Sequence, residues 1–83
     1  MEKEALARQF GTLIRRLRME RGHSQETFGQ ACRIDRTYVG MIERGEVNVT
    51  LAMVVKLAGG LGISLVDLFS EFQKDRDDPA VDW

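Results

Sequence analysis

One cysteine, one proline and one histidine are all that 83 residues contain of the types that staple, break and ligate. A lone Cys32 forms no internal disulfide, which excludes the staples of small secreted domains and leads us to expect a reducing compartment, the cytoplasm. With one His and one Cys no group has metal-ligand spacing, so neither a metal nor another cofactor is expected. No strand is predicted, hence no Gly-rich phosphate loop can follow one, and "GGLG" at 59–62 reads as a helix end; an enzyme is not expected. No apolar run approaches the roughly 20 residues that span a bilayer, and "MEKE" is not the basic start of an export signal, so neither membrane nor export is expected. The single proline and six aromatics, with 43% hydrophobic and 30% charged residues, exclude a Pro-rich linker and argue for a folded chain.

What is present is enough for one domain. A chain this short buries about 60% of its unfolded surface, so its stability is modest and any large function comes through partners. The net charge is −1. Its distribution is uneven: residues 1–45 carry nine Lys/Arg against six Asp/Glu, giving +3, and residues 46–83 carry three against seven, giving −4. An anion-binding surface would lie in the first half.

Hydrophobic periodicity predicts five helices and an all-α fold. Leu6, Phe10, Leu13, Ile14 and Leu17 make one stripe over residues 3–21, stopped at Gly22. Ser24 caps a second helix reaching about Cys32, with Glu26 in its first turn and Phe28, Ala31 and Cys32 inward. Asp35 caps a third, whose inward pair is Val39 and Ile42 before Gly45 ends it. After a loop at 46–49, Thr50 caps a fourth helix with Leu51, Val54, Val55, Ala58 and Leu61 as its buried face, frayed near Gly59 and Gly60 and ended by Gly62. Ser64 with Asp67 approximates a capping box for a fifth, carrying Leu65, Leu68, Phe69 and Phe72 at i, i+3, i+4 and i+7. This places one domain at 1–74 and a flexible acidic tail at 75–83.

Counted from Gln25 as position 1, the apolar residues Phe28, Cys32, Ile34, Val39 and Ile42 fall at positions 4, 8, 10, 15 and 18, with Gly29 at position 5. That is the spacing by which two short helices crossing at about 90–120° share one seam, and the small residue marks their closest approach. Arg33, at position 9, departs from the pattern, because the turn usually takes a residue that tolerates positive φ. Either Arg33 adopts positive φ at a cost of about 1 kcal/mol, or the turn differs.

At "IRRLRMERGHSQ", "IDRTYVGMIERG" and "TLAMVVKLAGGLGISLVDLF" the chain resembles the Cro and phage-repressor type of helix-turn-helix protein, the xenobiotic response element family. Within it, "DRTYVGMIERG" looks most like the small controller proteins of restriction-modification systems. The resemblance implies a five-helix, lambda-repressor-like DNA-binding domain with its helix-turn-helix at the second and third helices. It also implies a homodimer on double-stranded operator DNA with the third helix as the recognition helix, and a structural pair between Arg18 and Glu43.

The residue chemistry carries its own reading. With Val39 and Ile42 inward, the third helix turns Thr37, Gly40, Met41 and Arg44 outward, with Arg36 at its leading edge. Arg36 can donate bidentately to guanine, Thr37 can bond a base or touch the thymine methyl, and Met41 offers apolar contact. Ser24 and Gln25, at the start of the second helix, are candidates for a phosphate contact, as are Asn48 and Thr50 at the start of the fourth. Tyr38 either packs or touches phosphate, and Arg44 either contacts DNA or is a solvated charge. The uncovered edge of the last helix, Leu65, Leu68, Phe69 and Phe72, is the expected dimer interface. Trp83 either stays unpacked or latches onto the partner subunit.

Together these residues point to a transcriptional regulator, a homodimer on a pseudo-palindromic operator with half-sites about 34 Å apart. No small-molecule effector module is evident, so regulation by its own concentration is expected. The alternative is an antitoxin or adaptor that uses the same fold to hold a protein, for which the acidic tail would be the binding segment.

Overall fold

Each helix after the first begins on a side-chain oxygen that accepts one of the orphan N–H groups of its opening turn. Ser24 accepts from Thr27, Asp35 from Thr37, Thr50 from Met53 and Ser64 from Asp67. At Ser24 the box closes reciprocally, because the Thr27 hydroxyl accepts the Ser24 N–H at 3.0 Å. The resulting structure, a computed structural model, describes residues 3–79. Among them are α1 (Lys3–Glu20), α2 (Gln25–Cys32), α3 (Arg36–Glu43), α4 (Leu51–Leu61) and α5 (Leu65–Asp77), and no strand. The five-helix all-α reading therefore holds.

The turn between α2 and α3 takes the first of its two options. Arg33 sits at φ 60°, ψ 46°, the only described residue other than glycine with positive φ, while its N–H bonds back to Gln30 O. An L side chain in this conformation costs about 1 kcal/mol. The turn folds back closely on α2: a Cβ at Gly29 would lie 2.6 Å from Ile34 O in the turn and 3.4 Å from Arg36 N at the start of α3, so position 5 of the motif has to be bare.

The core is built from one stripe per helix. Phe10, Leu13, Ile14 and Leu17 of α1 meet Phe28 and Cys32 of α2, Val39 and Ile42 of α3, and the inner face of α4, with Leu68 of α5 closing it. Ala31, expected inward, is exposed.

The inner face of α4 differs from the expected one. Val54, Leu57, Ala58 and Leu61 are buried, whereas Leu51 is 72% exposed and Val55 51%. The segment "LAMVVKLAGGL" is apolar on almost every side, so periodicity alone does not select a face. The choice is made by Gly60: it lies against Cys32, where a Cβ would overlap the Cys32 sulfur, and this close crossing turns Leu57 and Leu61 inward and Val55 out. The expected fraying at Gly59 and Gly60 does not occur, since α4 remains helical to Leu61. Burial in this crossing pushes the Cys32 thiol up to about 11, against the opposing effect of a backbone hydrogen bond with Gly60, so it acts as a small apolar side chain.

In α5, Phe72 packs edge-on against Phe10 at a centroid distance of 5.4 Å and an interplanar angle of 81°. The helix continues to Asp77, past Asp75, where the tail was expected to start. Arg16 of α1 holds the extra turn by donating to both Asp75 oxygens at 3.2 and 3.1 Å. Residues 80–83, and with them the Trp83 reading, lie outside the described residues.

Two adjacent glycines give opposite expectations. Gly60→Ala should lower stability by about 1–3 kcal/mol through overpacking. Gly59→Ala, whose Cβ would meet nothing within 4 Å, should raise it by about 0.5–1 kcal/mol. Thermal melts followed by circular dichroism check both; equal stability of the two variants would contradict the α2–α4 crossing.

Candidate nucleic-acid interface

An eight-residue helix such as α3 is too short to be stable alone in water, so its position is set by what it packs on. Val39 and Ile42 are fully buried and anchor its inner side. Its last residue is anchored by charge. Arg18 of α1 donates from Nε to Glu43 Oε2 at 2.7 Å and from Nη2 to Oε1 at 3.1 Å, and its Nη1 reaches His23 O at 2.8 Å. Gln25, the first residue of α2, adds Nε2 to Glu43 Oε1 at 3.1 Å. The Arg18 and Glu43 side chains are only 10% and 3% exposed. One buried carboxylate thus joins α1, the first turn of α2 and the end of α3, and the Arg18–Glu43 pair implied by the family resemblance is present.

The outer side of α3 is less open than its sequence suggested. Arg36 is at the leading edge, its side chain 70% exposed, with Glu26 of α2 as a loose partner at 3.8 Å. Thr37 beside it is exposed, its N–H satisfied by Asp35 Oδ2 at 2.9 Å. Tyr38 is half-buried against the core, and Met41 is half-buried. Gly40, expected in the open, is covered: a Cβ there would lie 3.0 Å from Arg44 Nη1 and 3.7 Å from Gln25 Oε1. Arg44 is folded over it and held from the other side, Nε and Nη2 both donating to the Glu46 carboxylate. Hydrogen bonding to Glu46 raises the Arg44 pKa, and the same bond keeps the Glu46 carboxyl below the ordinary carboxylate range. The Glu46 carboxylate therefore stays charged to a lower pH than an unpaired one would.

Gln25, Gly40 and Arg44 come together as one surface, beside Glu43 and contiguous with the exposed side of α3. Ser24 and Thr50 are exposed, but their hydroxyls cap α2 and α4. Asn48 is exposed and helps line an apolar cleft of about 180 Å³ between Leu6, Phe10, Val49, Phe69 and Phe72, so it borders the α1–α5 side of the molecule. The pairing of Arg44 with Glu46 and of Arg36 with Glu26 was not foreseen; an acid two residues after Arg44 was the one available signal for the former.

The second exposed surface is apolar. Leu51 and Val55 of α4 and Val66, Leu65 and Phe69 of α5 are outward, Val66 at 74% and Phe69 at 44%. Of the residues expected at a dimer contact, Leu65 and Phe69 are exposed, and Phe72 is half-buried on Phe10. Leu68 is fully buried in its own chain and offers no surface to another. Leu51, Val55 and Val66 take its place on the exposed side.

Residues 14–68 match the helix-turn-helix family. The control protein C.MunI of a Mycoplasma species is 43% identical over 67 residues, covering 80% of this chain and 90% of that protein. The solved restriction-modification controller protein C.AhdI of Aeromonas hydrophila is 42% identical, with a TM-score of 0.78, covering 83% of this chain and all of that one. A mutant of C.Esp1396I, solved bound to its highest affinity operator site OM, is 30% identical with a TM-score of 0.78, covering 83% of this chain and 91% of that one. The chain belongs to the helix-turn-helix family and, within it, to the restriction-modification controller proteins.

Because the Glu43 carboxylate is buried and shared, Glu43→Ala leaves the Arg18 guanidinium without its counter-charge and is expected to destabilise by about 3–5 kcal/mol. Chemical denaturation monitored by circular dichroism measures it. A loss under 1 kcal/mol, the range of surface pairs, would show that the pair does not organise the interface.

Proposed function

We propose that this chain is a sequence-specific DNA-binding transcriptional regulator, a homodimer on a pseudo-palindromic operator that controls restriction-modification genes. The observation that carries this is the placement of α3: its inner side and last carboxylate are locked, while Arg36 and Thr37 stand exposed at its leading end. Such an end enters the major groove, where a guanidinium reads guanine O6 and N7 and a threonine reads thymine or a neighbouring acceptor. Arg44, Gln25 and Ser24 then face the flanking phosphates, joined by Tyr38 where its hydroxyl reaches the surface, and by Asn48 and Thr50 at the start of α4. Met41 supplies apolar contact. The relatives support this reading, since one of them, the C.Esp1396I mutant, is solved bound to its operator site.

Two α3 helices act together only if the copies are joined, and the exposed apolar residues of α4 and α5 are the surface suited to it. Leu51, Val55, Leu65, Val66 and Phe69 would be covered by their equivalents about a two-fold axis, which is the self-complementary arrangement of a homodimer. Residues 3–77, from the start of α1 to the end of α5, form one unit for DNA binding and dimerisation. The protein binds and positions rather than catalyses. It works in the bacterial cytoplasm, on the nucleoid.

The duplex immediately upstream of the protein's own reading frame is the probe. Arg36→Ala should weaken binding to it by roughly 10- to 100-fold, the value of one bidentate base contact, in a fluorescence anisotropy titration. Equal affinity of variant and wild type would remove α3 as the recognition element. Phe69→Asp should shift the protein to monomer in sedimentation velocity while retaining its helical spectrum; a persistent dimer would move the interface elsewhere.

A further inference from the structure

We propose that Arg33 is a phosphate-contact residue that positions the DNA-binding face, an inference that rests on the DNA-binding reading above. Arg33 occupies the left-handed turn between α2 and α3, where glycine or asparagine would fit without strain. Its backbone N–H caps the end of α2 on Gln30 O and Gly29 O, a role any residue fills there, whereas its side chain makes no hydrogen bond and no ion pair among the described residues.

The surroundings isolate this charge further. Arg33 lines an open groove of about 510 Å³ together with Glu26, Gly29, Asp35 and Arg36. Asp35 accepts the Thr37 N–H, and Glu26 faces Arg36 at 3.8 Å. Of the charged side chains along the groove, only Arg33 has no partner among the described residues. Strained backbone and an uncompensated cation at one position are what a contact to an outside anion would maintain.

Position on the fold identifies the anion. Arg36 and Thr37 enter the major groove at the leading end of α3, so the turn three residues earlier stands at the wall of that groove. The wall is made of sugar and phosphate, and a guanidinium there meets phosphate oxygens, not base edges. Arg33 therefore sets depth and register of α3 in the groove without adding sequence information.

Strain and contact predict effects of opposite sign, which makes the test specific. Arg33→Gly and Arg33→Asn should melt at the same or a higher temperature than wild type, because both relieve the turn. Against the upstream duplex both should bind about tenfold more weakly, the loss of one charge-assisted hydrogen bond. The slope of log affinity against log salt should flatten by about 0.9. The ratio of affinities for the upstream duplex and a scrambled duplex of the same composition should stay unchanged, and Arg33→Lys should retain most of the affinity. Unaltered affinity and salt slope in Arg33→Gly and Arg33→Asn overturn the assignment, as does a loss confined to the upstream duplex. Wild-type protein that does not prefer the upstream duplex overturns the regulator reading itself, and Arg36→Ala in parallel separates the two failures.

Discussion

The Glu43 carboxylate, buried and shared by three donors, is the constraint from which the rest of this small protein is organised. Two nitrogens of Arg18 and the amide of Gln25 converge on it, and the third Arg18 nitrogen holds the carbonyl of His23 in the turn between α1 and α2. Desolvating both charges carries a penalty that their attraction alone need not offset, so what the pair contributes is chiefly geometry. It fixes the end of α3, while the buried Val39 and Ile42 fix its inner side, and an eight-residue helix needs both.

The exposed parts then divide into two unlike surfaces on one core. Around α3 the surface is polar and its cations are mostly paired with acids: Arg36 with Glu26 and Arg44 with Glu46. Such exposed pairs are weak, so the acid can be displaced at little cost. They also temper attraction to arbitrary DNA, since both of these cations must first leave a neighbour. Around α4 and α5 the surface is aliphatic and aromatic. The two do not compete for residues, because Val54, Leu57 and Leu68 between them are buried and serve neither.

Much of this was legible in the sequence, for identifiable reasons. Ser24, Asp35, Thr50 and Ser64 act as caps because a short polar side chain beside orphan N–H groups has few other uses there. Gly29 and the seam around it are visible because close crossing admits no larger residue. The illegible parts depend on three-dimensional choices that spacing does not encode. The inner face of α4 was hidden by a segment apolar on nearly all sides, and Leu68 looked like an edge residue until α1 and α4 enclosed it. Arg44 seemed available because its tie to Glu46 forms only after the chain turns at Gly45.

The bare contact between Gly60 and Cys32 has a consequence for how such proteins change target. It leaves no slack between the supporting helix and the helix-turn-helix unit, so tilting the reading head by even a few degrees would require rebuilding both partners at once. Divergence toward a new operator is therefore channelled into exchanging side chains along an unmoved rod. Relatives would be expected to differ in what their fingertips carry long before they differ in the angle of the hand.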